Sequence, residues 1–89
     1  MTKLYLVHCG FYDTEVFEGI YESHGNFFVV AESFDDARVK AKLIPEYQKR
    51  KMHVDGLQEI QVVDGHRVVL QSVADLEGRT ILVSNMRSG

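Results

Sequence analysis

The stretch "MHVDGLQEIQVVDGHRVVL", Met52 to Leu70, contains the triplet Val-Asp-Gly twice, once after His53 and once before His66. Asp-Gly between two β-branched runs is a strong signal for a two-residue hairpin turn, because both central positions need positive φ. With Asp64-Gly65 as that turn, Val63 faces His66, Val62 faces Arg67, Ile60 faces Val69 and Leu57 faces Ser72. Apolar side chains fall on both sides of such a hairpin, so the pattern leaves open which side is core. His53 and His66 then stand at opposite ends of a hairpin, roughly 30 Å or more apart at about 3.3 Å per residue. They cannot share one ion within a chain, and Asp64-Gly65 is read as a structural turn.

Working back from this stretch, "NFFVVAE" (Asn26–Glu32) is the clearest strand, apolar on both faces and expected to be central. Ser33 follows as a helix N-cap, with Asp35 and Asp36 in the first turn where the helix dipole favours them. Ala37, Ala41 and Ile44 recur at helical spacing beside Leu43, a narrow stripe that can lie close to a sheet. Pro45 disfavours helical geometry at Ile44, so a kink or restart is expected, with Pro45 at the first position of a second piece. At the start of the chain, "KLYLVHC" (Lys3–Cys9) reads as a strand covered on both faces. Residues 11–25 lack sustained alternation and read as a long ordered loop, with a short strand around Val16–Tyr21. Beyond Leu70, a turn at Glu77-Gly78 and a strand over Thr80–Val83 are expected, then a frayed tail over residues 85–89.

These elements predict an α+β fold of one domain over residues 1–89. It is a ββαββ(β) two-layer sandwich, one mixed sheet with one main helix (about 33–51) packed on a face. The crossover from strand 27–32 through the helix to strand 57–63 places those two strands parallel. Glu22 and His24, before the first, and His53 and Asp55, before the second, therefore fall at one edge of the sheet. An antiparallel strand 3–9 brings His8 and Cys9 near the same edge. Glu22-x-His24 and His53-x-Asp55 each set two ligand types on one side of an extended chain. Histidine with carboxylate suits zinc, iron, nickel or manganese, and the same groups suit acid–base chemistry. Asp55-Gly56 is also a bend by composition, so structural turns compete with any site here. His8 and Cys9 cannot act as a dyad, since adjacent strand residues point to opposite faces.

Composition bounds the rest. A net charge of −3 and a pI near 5.7 argue against nucleic-acid binding, and "QKRK" (Gln48–Lys51) reads as a solvated helix end. Cys9 is the single cysteine, which excludes an intrachain disulfide. With no apolar run of membrane-spanning length, a cytoplasmic location is the expectation, with no membrane partner. No cofactor is expected, and a divalent metal is the one that the histidine edge could hold.

The run "FFVVAES", a helix, and then "KMHVDGLQEIQVVDGHRVVL" resemble Domain of Unknown Function 1543, a family of small bacterial proteins. The likeness rests on Lys3-Leu4-Tyr5, Glu22-x-His24, His53-Val54-Asp55, Glu59 and Val63-Asp64-Gly65. It departs where His66 stands in place of an aromatic ring and where "GFYDTEVFEG" replaces a Gly-rich segment. The resemblance implies the fold and carries no activity. Longer relatives holding two copies of such a unit imply a homodimer for this chain. The functional expectation is a non-catalytic binding or accessory module acting as a small homodimer, with a protein partner as a further contact. The alternative is a metal-dependent or acid–base enzyme at the edge of Glu22, His24, His53 and Asp55.

Overall fold

The computed structural model describes residues 1–13 and 21–85 of the chain. Strand β1 (Lys3–Asp13) pairs along its whole length with β2 (Tyr21–Ala31), from Lys3 opposite Ala31 to Asp13 opposite Tyr21. Much of the segment expected to be a loop is thus a long hairpin. Its residues are polar, aromatic and glycine, and their pairing is decided by the partner strand, which local pattern does not display. The strand expected around Val16–Tyr21 lies outside the described residues except for Tyr21, where β2 begins.

Helix α1 (Phe34–Lys42) starts where the sequence places it. The Ser33 Oγ accepts a 3.0 Å hydrogen bond from the Asp36 N–H, and Asp36 Oδ2 accepts from the Glu32 N–H at 3.0 Å. Ile44 is extended, and Pro45 opens α2 (Pro45–Lys49), so the expected restart occurs. The chain then enters β3 (His53–Glu59), antiparallel to β1 on the side away from β2. The order is β2-β1-β3. β2 and β3 run parallel to each other with β1 between them, as the crossover argument requires.

The central strand is β1, a correction to the expectation for β2. Both strands are apolar on two faces, and among the described residues β1 alone of the two has neighbours on both sides. Tyr5, Val7 and Cys9 of β1 are fully buried beneath the helix. Val29 and Ala31 of β2, Ala37 and Ala41 of α1, and Met52 complete this core. The two alanines bring α1 close to the sheet, as the stripe implies, and Ile44 packs at the margin while Leu43 is exposed. Tyr5 meets Phe34 edge-on, with ring centroids 5.2 Å apart.

The second half of the quoted stretch forms a separate ribbon of β4 (Val62–Val63) and β5 (His66–Arg67). Its turn is the expected one: Asp64 and Gly65 have φ of 48° and 74°, and Val63 pairs with His66 and Val62 with Arg67. The pairing does not extend to Ile60–Val69 as a ladder, because Ile60 donates its N–H to the Leu4 carbonyl and leaves the hairpin. Neither face of the ribbon is buried, Val62 and Val63 being more than half exposed. The expected strand Thr80–Val83 is irregular and exposed, and Gly78, at φ 75°, makes the turn before it. A single 3₁₀ turn, Ala74–Leu76, interrupts the segment after β5. Among the described residues, no helix is long and apolar enough to cross a membrane.

Candidate functional site

Among the described residues, no helix covers the second face of the sheet. Because side chains alternate along a strand, the even-numbered residues of β1 that alternate with Tyr5, Val7 and Cys9 are on that open face. His8 and Gly10 are among them, and the β1–β2 register sets Asn26 opposite His8 and His24 opposite Gly10. On the other side of β1, Gly10 is opposite His53. His24, Gly10 and His53 therefore form one row across three strands.

Asp55 joins this row through a break in register. His8 pairs with Gly56 and Cys9 with Val54, so Asp55 is the extra residue of a β-bulge. The bulge aims its carboxylate over Gly10. One oxygen, Oδ2, lies 3.2 Å from His24 Nδ1, and the other, Oδ1, lies 3.1 Å from His53 Nε2. A Cβ built on Gly10 would fall 2.7 Å from His53 Nε2 and 2.8 Å from Asp55 Oδ2. The absent side chain is what lets groups from the two outer strands meet above the central one.

His8 stacks on His24, with ring centroids 4.9 Å apart and planes within 9°. Its Nδ1 is 2.8 Å from Asn26 Oδ1. When that nitrogen donates its proton to the amide oxygen, Nε2 carries the lone pair, the usual arrangement of a ligating imidazole held by an outer partner. Tyr12 borders the row, its ring centroid 5.9 Å from that of His53. A hollow of about 340 Å³ lies beside His8 and Asn26, floored by Leu6 and Gly56.

One ligand atom each from His8, His24 and Asp55 fall within 4.8 Å of one another. Ligands about 2.1 Å from a tetrahedral ion stand about 3.4 Å apart, so the trio could hold a metal ion if its donors drew closer by side-chain rotation. Two imidazoles and one carboxylate also make the donor set of open-sided iron, manganese and zinc centres. His53 touches the same carboxylate and orients it.

Of the expected site residues, His24, His53 and Asp55 come together, and the side chain of Glu22 lies outside the described ones. His8, expected nearby, is a full member of the trio. Cys9 is on the opposite face, buried. Burial, with the Asp55 charge adding to it, pushes its thiol pKa up. Asn26 was legible as a face-mate of His24 by alternation, whereas Gly10 and Tyr12 needed the cross-strand register. His66 is remote from the site, its Nδ1 lying 2.8 Å from the Asp64 carbonyl oxygen in its own turn. In the basic run, Arg50 pairs with Glu46 and lies 4.8 Å over the Phe11 ring.

No curated protein and no solved structure matches the chain. One family pattern does, over residues 19–70, which takes in His24, His53 and Asp55 and leaves His8 and Gly10 of β1 outside. Since that match spans more than half of the 89 residues, the chain belongs to the family described as Domain of Unknown Function (DUF1543).

Proposed function

We propose that this chain is a non-catalytic binding module whose open sheet face takes a divalent transition-metal ion through His8, His24 and Asp55. The observation that carries the reading is the convergence of one donor from each of three strands within 4.8 Å, over a glycine that leaves them room. Structural turns alone do not call for such a gathering, because a bend at Asp55-Gly56 has no need of imidazoles from two other strands. Binding is favoured over catalysis because the side chains of His24 and His53 are nearly half exposed, with no enclosing walls among the described residues to exclude water. The single thiol, Cys9, is on the other side of the sheet and supplies no nucleophile here. A reducing, cytoplasmic setting accords with one unpaired buried thiol.

The test is a titration of isotope-labelled protein with zinc and then nickel, following each imidazole by NMR. The reading expects His8 and His24 to shift together at one equivalent while His66 stays still, and expects Asp55→Ala to abolish the response. It fails if no imidazole responds below millimolar metal, or if the response survives in Asp55→Ala.

A further inference from the structure

The metal trio occupies one end of the open sheet face, and the other end is apolar. There Leu4 of β1 pairs with Val30 of β2, and Leu6 with Phe28. Phe28 and Val30 are 49% and 44% exposed, on a strand with β1 as its one sheet neighbour among the described residues. An apolar patch on an outer strand is the kind of surface that folded proteins normally cover.

The same chain carries a segment in the reciprocal condition. Residues 69–85 are exposed throughout and contain no regular element beyond the turn at Ala74–Leu76. Val69, Ile81, Leu82 and Val83 are 79%, 61%, 70% and 96% exposed. The arm leaves from the Leu4 end of the sheet, where Val68–Leu70 and Met1–Leu4 border a common cleft. Its extension shows in the radius of gyration, 15.3 Å, against about 12 Å for a compact chain of this length.

We infer that a second copy of this chain covers both surfaces. The arm 69–83 of each copy lies on Leu4, Leu6, Phe28 and Val30 of the other, a two-fold exchange. A second copy is favoured over an unrelated protein because one chain supplies both halves of the contact. Two-fold symmetry then buries two arms and two faces at once, as an isologous interface requires. An arm of this length plus the face beneath it approaches the roughly 20–30 residues per side of a stable interface. The inference is independent of the metal site, and its test is run in chelator so that the two stand or fall separately.

Sedimentation velocity of the full chain, from low to high micromolar, should show a monomer–dimer equilibrium. Truncation after Leu70, or the substitutions Ile81→Asp and Val83→Asp in the full chain, should weaken it at least tenfold. A Cys9→Ala, Ser84→Cys chain carrying a spin label, mixed with unmodified labelled protein, should broaden the Phe28 and Val30 amides of the latter. The double-aspartate chain keeps the test open if truncation disturbs folding. A monomer at every concentration, a dimer indifferent to loss of the arm, or unbroadened Phe28 and Val30 amides in the unmodified protein would overturn the inference.

Discussion

His24 Nδ1 lies 3.2 Å from Asp55 Oδ2, although their strands are not neighbours and β1 runs between them. Gly10 is the residue of β1 directly beneath the contact. Gly10→Ala would set a methyl group within 3 Å of both His53 and Asp55. The atoms met are the ends of rotatable side chains, so they yield, and the expected loss of stability is about 1 kcal/mol or less. Metal affinity should fall far more, at least tenfold, since the donors are pushed apart. Calorimetric titration with zinc beside denaturant unfolding separates the two effects.

Asp55→Asn keeps the shape of the bulge residue and removes the charge that two imidazoles share. Zinc affinity is expected to drop by a hundredfold or more, with the fold intact by NMR. For the unaltered protein, affinity should weaken as pH falls, because protons compete for the ligating imidazoles. An affinity that holds through the ordinary imidazole range and falls only where carboxylates protonate would point to carboxylates alone.

The core beneath α1 and the exposed ribbon should respond unequally to the same change. Val7 is fully buried in the central strand, and Val7→Ala is expected to cost about 2 kcal/mol from lost burial and the cavity left behind. Val62, 56% exposed in β4, should cost less than about 0.5 kcal/mol on the same substitution. Urea denaturation of both variants gives the comparison directly.

Cys9 should resist thiol reagents in the folded protein and react at the unfolded rate in denaturant. Its pKa is raised, first by burial and then by the Asp55 charge. A raised thiol pKa favours the folded state at pH values below the unfolded thiol's pKa. That contribution is lost as pH rises through the folded one. Stability measured on the alkaline side should therefore fall more steeply in the unaltered chain than in Cys9→Ala.

At the helix start the sign reverses. The Glu32 N–H bond is the main cause holding the Asp36 carboxyl below its ordinary range, with Lys40 adding to it. Stability from this group is present above the unfolded carboxyl pKa and is lost as pH falls through the folded one. Asp36→Asn should flatten the acid limb of the pH–stability curve. Ser33→Ala removes the oxygen that Asp36 N–H uses and should cost about 1 kcal/mol at neutral pH.

What could be read from residues alone was what neighbouring residues decide. Ser33 as a cap, Pro45 as a break and Asp64-Gly65 as a turn are each local matters of backbone geometry. The gathering of His24, His53 and Asp55 followed from strand direction, which the crossover constrains. Which strand is central did not follow, because Phe28 and Val30 are apolar without being buried in the chain. Nor did the bulge at Asp55 or the gap at Gly10, since both exist only in the register between strands far apart in sequence. Thr80–Val83 has the composition of a strand and finds no strand partner among the described residues, so propensity had nothing to act upon.

The row His24–Gly10–His53 has a mechanical side. Outer strands are held by hydrogen bonds along one edge and are the first to separate from a sheet. An ion gripping β2 and β3 above β1 would fasten the two outer strands to each other, a clasp across the full width of the sheet. Filling the site would then slow amide exchange at both margins together, including positions far from any ligand, and emptying it would release them as a pair.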